Sequence, residues 1–305
     1  MLILKHEDEL LKHQFVVIGR HPRPHFRTFY PLLFDRIQNV DIVGYEEHPS
    51  DHFLEHFTGY LICLAGHCSK QMMQHKKHYS VILISHGPVP VSHRGGSEVC
   101  ADHFITNGSE KLLEKVNLKM VSQTLPLGYF PTDYFSKERC PKTALVQCSG
   151  SYKRSLKLTQ ICRILLERNF DVRLYEHLMY PSGVHSLPEE VKKIRAGLEY
   201  VQALSSCSHF IFSGTSGFLT SAYSPGCCQI NVSADWRNKN SELFQDCMDR
   251  SCYTVNDEAG LISALNLPPR YDEQFTSFLY GENRGNVIEK INGYLIDLPC
   301  MKNLT

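Results

Sequence analysis

The chain has 305 residues, in which 32 Lys and Arg are balanced by 32 Asp and Glu. This length exceeds the usual single-core size and allows two domains, each large enough to bury a core of its own. The charge balance removes the electrostatic basis for a nucleic-acid binder held mainly through phosphate contacts, so no nucleic-acid partner is expected.

The opening MLILKHEDELLKHQF carries too short an apolar run and too many charges to be a secretory signal, and reads as a lead-in to the first strand. Strand FVVIGR at 15–20, helix HFRTFYPLLFDRIQN at 25–39 and strand VDIVGYEE at 40–47 follow. Next come strand GYLICLAG, an amphipathic helix around Met72, strand VILISHG, a short helix around Glu98, strand HFITNG and a helix from Ser109. The strands are continuous apolar runs, as burial on both faces of a parallel sheet requires. Their alternation with helical segments means βαβ repetition.

A Pro- and Gly-containing connector, TLPLGYFPTDYFSKERCPKT, has little periodicity and is a natural domain joint. The expected division is therefore 1–135 and 136–305. The second half reads as strand ALVQCSG, a helix from Ser155 to Arg168, strand DVRLYEH, a helix from Pro188, the short helix YVQALSSC and strand HFIFSG. A helix starting near Ser216, strand CCQINVS, a last strand SCYTVN and three helices close the chain. The expected class is α/β, with two Rossmann-like domains whose parallel sheets face a cleft.

No stretch approaches the roughly 18 apolar residues that cross a bilayer. The aromatic and basic segment HFRTFYPLLFDR leaves peripheral membrane contact open, although core packing on one of its faces accounts for it. The 12 cysteines are scattered, with no CxxC pair. They read as reduced thiols serving as small core residues, which points to the cytosol.

The segment HFIFSGTSGFLTSAYSPGC runs a buried strand into Ser213, Gly214, Thr215 and Ser216 at a helix start. Hydroxyls and free backbone N–H groups gathered at the positive end of a helix dipole suit a phosphate. An ordinary N-cap needs the same residue types. A second strand-to-loop transition, ALVQCSGSYKRSLKL, offers Ser149, Lys153 and Arg154. Both loops fall at strand carboxyl ends, where open α/β sheets bind ligands. Neither GxxxxGK[ST] nor GxGxxG is present, so no cofactor of those classes is expected.

In the first half, VILISHGPVPVSHRGG sets His86 directly after a buried strand, with Gly87 and Pro88 forcing a turn. An imidazole there can act as general base near neutral pH, with His93 and Arg94 on the acceptor side; a turn histidine bonded to backbone is the plainer reading. His177 ends strand DVRLYEH and could neutralise a departing diphosphate, or serve as a turn histidine. His48, His52 and His56 raise a metal site, but exposed His/Glu helices are common and no third ligand converges, so no metal is expected.

Taken in order, HGP after a first-domain strand, ADHFITNGSE, LPLGYF before the connector and SGTSGFLTSAYSPGC resemble the GT-B architecture. Within it the chain is most similar to CDP-glycerol glycerophosphotransferases of teichoic-acid synthesis, and more distantly to UDP-N-acetylglucosamine 2-epimerases and other nucleotide-sugar enzymes. The resemblance implies that His86 activates the acceptor hydroxyl, while His177, Thr215 and Ser216 hold the donor's phosphates. Gly285 in GENRGNVIEKI takes the glycine position of the family's closing helix. Gly214 stands where the family has an aspartate, and SYKR where it has a Thr-Trp-Arg-like loop.

The expected function is therefore a transferase that uses CDP-glycerol or a nucleotide sugar to modify an acceptor hydroxyl on a glycan, a lipid-linked carrier or a surface polymer. The alternatives are a nucleotide-sugar epimerase or hydrolase, and a non-catalytic nucleotide-sugar-binding protein of the same fold.

Overall fold

The computed structural model describes residues 1–19, 29–64, 66–85, 99–106, 118, 120–135, 138–148, 154, 156–176, 186–213, 226–233, 249–281 and 285–301. Among them the chain forms two compact units, the first taking residues up to Asp133 and again from Phe278, the second Tyr134–Ser277. The division expected at 135 gave everything after it to the second domain, whereas the closing segment belongs to the first.

In the first unit the elements run β1 (Leu2–Leu4), α1 (Glu7–Leu10), β2 (Phe15–Ile18), α2 (Tyr30–Phe34), β3 (Ile42–Tyr45), α3 (Asp51–His56) and β4 (Tyr60–Cys63). They continue with α4 (Gly66–Gln74), β5 (Ser80–Ile84), β6 (Cys100–Ile105) and β7 (Met120–Leu125). The seven strands are ordered β1-β3-β2-β4-β5-β6-β7, all parallel. Val16, Leu61 and Phe104 are fully buried in the core with Phe53 of α3 and Met72 of α4. Each such side chain removed from water stabilises the fold by roughly 1.5–3 kcal/mol. Helix α3 starts at Ser50, whose hydroxyl accepts the Phe53 N–H at 3.1 Å.

The second unit holds β8 (Cys140–Cys148), α5 (Leu158–Leu166), β9 (Asp171–Glu176), β10 (Lys192–Lys193), α6 (Leu198–Ser206) and β11 (Cys207–Ser213). After these come β12 (Cys228–Asn231), β13 (Tyr253–Thr254), α7 (Glu258–Ala264) and α8 (Glu273–Tyr280), whose last three residues are assigned to the first unit. Its six parallel strands are ordered β10-β9-β8-β11-β12-β13. Along β12 the side chains alternate as a pleat requires. Cys228, Ile230 and Val232 enter the core cluster with Ile211, Val146 and helix α5, leaving Gln229, Asn231 and Ser233 for the opposite face.

Helix α9 (Val287–Asp297) belongs to the first unit. The Asp133 carboxylate accepts the N–H groups of Val287 and Ile288 at 3.0 and 2.7 Å, satisfying two of the donors that a helix start leaves open. Asn292 accepts the Gln38 N–H at 2.9 Å, and the Tyr294 hydroxyl lies 2.7 Å from His103 Nδ1. Gly128 makes this docking close: its φ is +112°, and a Cβ there would sit 2.9 Å from Val287 Cγ2.

Three readings of the sequence change. The lead-in contains an edge strand, β1, paired in parallel with β3. Strand β7 was not expected; it is an edge strand, MVSQTL, with Met120 exposed. The helix expected from Pro188 is absent over the described residues there, which form a turn and the two-residue strand β10 paired to Arg173 and Leu174. Lys192 is tied to Asp171 at 2.7 Å, and the Ile194 N–H donates to the Leu174 carbonyl at 2.9 Å, so tertiary pairing overrides a helical local preference. The helices expected around Glu98, from Ser109 and near Ser216 lie outside the described residues.

Candidate functional site

In the second sheet the chain lays its first strand, β8, in the interior, adds β9 and β10 on one side, then returns to add β11, β12 and β13 on the other. The direction of winding reverses between β8 and β11. In an open α/β sheet such a switch point opens a crevice outside the carboxyl ends of the strands, because the connections on either side leave in opposite directions.

The register places specific residues at that edge. Ser213, the last residue of β11, pairs with Cys148, the last residue of β8, so the two chains leave the sheet side by side. Next to Ser213 in the chain, Phe212 pairs with Asn231, the last residue of β12. Both expected loops therefore start from neighbouring strand ends. Ser213 itself is 3% exposed. Ser149, Lys153, Gly214, Thr215 and Ser216 follow these ends but lie outside the described residues.

Arg154 is described, and its backbone forms an isolated antiparallel bridge with Ser233, two residues past the end of β12. Its Nη1 is buried and has no hydrogen-bond partner. Asn231 is fully buried; its Oδ1 accepts the Ser233 N–H at 3.0 Å, while its Nδ2 has no partner. A buried donor left unmade costs about 1–3 kcal/mol, and two at one sheet edge mark a place where an acceptor-rich group is wanted. The edge is kept in shape from behind by Gln147, whose amide oxygen accepts the Tyr200 hydroxyl at 2.6 Å, with the Tyr200 ring 4.1 Å from that of Tyr175.

The sequence reading named Ser213 and Arg154 and missed Asn231 and Ser233. The signal was available: an amide at the carboxyl end of the apolar run CCQIN is a polar group where ligands bind.

In the first unit β5 ends at Ile84, and the Ser85 N–H donates to the Ile105 carbonyl at 2.8 Å, carrying strand geometry up to the residue before His86. His86, Gly87, His93 and Arg94 lie outside the described residues, as does His177, which follows Glu176 at the end of β9. His48 Nδ1 lies 2.7 Å from the Pro49 carbonyl and His56 Nδ1 lies 2.8 Å from the His52 carbonyl, so these rings are engaged with backbone. Among the described residues no three His, Cys, Asp or Glu side chains converge as metal ligands, and no helix is long and apolar enough to cross a membrane. Among the described residues ten cysteines are free thiols.

Neither a protein-family model nor a curated protein sequence matches the chain. Solved structures do match in fold. The wall teichoic acid polymerase TagF is 12% identical, with a TM-score of 0.65 over 98% of this chain and 92% of that one. The UDP-GlcNAc 2-epimerase from Neisseria meningitidis, bound to UDP-GlcNAc, is 12% identical, with a TM-score of 0.52 over 93% of this chain and 100% of that one. At such identity the likeness speaks for fold, and the fold is of the GT-B type.

Proposed function

We propose that this GT-B-type chain is a transferase that takes a group from a nucleotide-diphosphate donor, CDP-glycerol or a nucleotide sugar, and passes it to an acceptor hydroxyl on a glycan, a lipid-linked carrier or a surface polymer. The observation that carries this reading is the switch-point edge, where Ser213 pairs with Cys148 and Arg154 presents a buried guanidinium nitrogen with no partner. The fold shared with a teichoic acid polymerase and with an epimerase bound to UDP-GlcNAc supports the donor class.

In this reading the donor's phosphates lie against Ser213, Thr215, Ser216 and Ser149, with Lys153 and Arg154 supplying positive charge. The Gly214 backbone N–H serves as a further donor in this reading. His86 removes the hydroxyl proton of the acceptor, held by the Gly87, His93 and Arg94 loop, as its oxygen attacks. With CDP-glycerol the new O–P bond forms as the bond to the departing nucleotide breaks; with a nucleotide sugar the new bond is to the anomeric carbon and the nucleoside diphosphate leaves. His177 as imidazolium offsets the charge that develops on the leaving phosphate. Free thiols and the lack of a charge bias fit a cytosolic enzyme that meets its acceptor at a membrane surface.

Transfer assays with His86→Ala test the chemistry: turnover should fall by at least about a hundredfold, the usual contribution of a general base. Turnover at the wild-type level would remove His86 from the mechanism. Release of UDP from UDP-N-acetylglucosamine without any acceptor would turn the reading toward a hydrolase or epimerase.

A further inference from the structure

The two unmade donors at the carboxyl edge of β12 have a common address. The Ser233 backbone is bridged to Arg154, and the Ser233 N–H is held by Asn231 Oδ1 at 3.0 Å. That bond fixes which end of the Asn231 amide is occupied: the oxygen is taken, and the nitrogen is the end left over, fully buried and without a partner. Arg154 Nη1, on the residue bridged to Ser233, is likewise buried and without a partner. An amide N–H and a guanidinium N–H can both be satisfied only by an acceptor. A cation or a donor group would leave both unmade and add repulsion to Arg154.

We propose that Asn231 and Arg154 form an oxyanion subsite and that its occupant is a phosphate oxygen of the donor's diphosphate; this rests on the donor reading above. The position fits that occupant. Asn231 pairs with Phe212, the residue before Ser213, so the subsite sits one strand over from the β8–β11 switch point, beside the end of β11. None of Gln147, Ser213, Asn231, Ser233 and Arg154 is acidic, and the nearest strand end that carries a carboxylate is that of β9, at Glu176. Neighbouring strand ends lie about 4.8 Å apart, which lets one phosphate of a diphosphate stay at the end of β11 while the other reaches Asn231. Asn231 acts here as a binding residue, with no part in proton transfer.

The test is calorimetric titration of the full chain with CDP, UDP and inorganic pyrophosphate, for the wild type and for Asn231→Asp, Asn231→Ala and Arg154→Met. Asn231→Asp keeps the acceptor for the Ser233 N–H, removes the donor and adds a negative charge, whereas Asn231→Ala removes the donor without adding charge. Since a buried carboxylate can unsettle the fold, Asn231→Ala, checked by its unliganded melting point, stands as the second variant. Each variant should bind pyrophosphate and the preferred nucleotide at least about tenfold more weakly, or about 1.4 kcal/mol. Wild-type affinity for nucleotide and pyrophosphate in both Asn231 variants would overturn the subsite and leave the donor reading intact. A wild-type chain that binds neither nucleotide nor pyrophosphate would overturn the donor reading, and the subsite with it.

Discussion

Asp133 accepts the backbone N–H of Ile288 at 2.7 Å, a contact that spans 155 residues of chain. With the Val287 N–H at 3.0 Å it closes the start of helix α9 from outside the helix. Replacing a capping side chain by alanine costs about 0.5–2 kcal/mol, and this carboxylate serves two donors. Asp133→Ala should therefore lower the urea midpoint by the equivalent of about 1–2 kcal/mol, read by circular dichroism.

Gly128 meets the same helix. A side chain there faces a left-handed backbone, φ +112°, and Val287 Cγ2 at 2.9 Å. Gly128→Ala should cost about 1–3 kcal/mol, the usual range for overpacking with backbone strain. Adding Val287→Ala should recover part of that loss, because the steric overlap goes and the strained φ stays. No recovery in the double variant would show that the backbone accounts for the whole cost.

His209 gives stability a pH dependence. It lies on β11, with Nε2 3.1 Å from the Leu265 carbonyl and the ring edge-on to Phe170 at 4.9 Å. Burial pushes its pKa below the ordinary 6.5, and the Lys142 ammonium adds to this, against the pull of the Leu265 carbonyl. A base whose pKa is depressed on folding binds its proton more weakly in the native state. Its contribution is thus intact above pH 6.5 and is lost as pH falls below that value toward the folded pKa. Thermal melts from pH 7.5 to pH 5, about the range over which histidine titrates, should show a smaller fall for His209→Gln than for the wild type. Equal slopes would discount His209 as the source.

Arg154 sets binding against stability. Its partnerless Nη1 is a cost in the unliganded chain, since removing an unmade buried donor relieves a desolvation penalty of about 1–3 kcal/mol. Arg154→Met should therefore melt higher than the wild type without ligand and lose most of the rise that CDP or UDP produces. A lower melting point without ligand would mean that the guanidinium is satisfied by the folded chain.

Strand β11 was legible because FIF lies in a sheet buried on both faces, so its apolar run is continuous, and the same holds for ALV of β8 and VILI of β5. Strand β1 escaped notice because it is only three residues long, with Leu2 and Ile3 exposed; an edge strand needs no apolar run. Strand β7 hid for the same reason. The sequence PEEVKKIRAG carries good helix formers, and only pairing with β9 decides against them. At the site, hydroxyls and basic residues in loops drew attention to Ser213 and Arg154. Asn231 was passed over although it closes the apolar run CCQIN, and the register that sets it opposite Phe212, beside Ser213, is visible only in the assembled sheet.

The docking of α9 onto the first unit has a consequence for biosynthesis. A ribosome working from the amino terminus must make all of residues 134–277 before the helix that Asp133 caps can emerge. Nascent chains therefore carry a first sheet that still lacks its last helix while the second sheet is already being assembled. Emergence of α9, and not completion of residue 133, is the moment at which the first unit can lock.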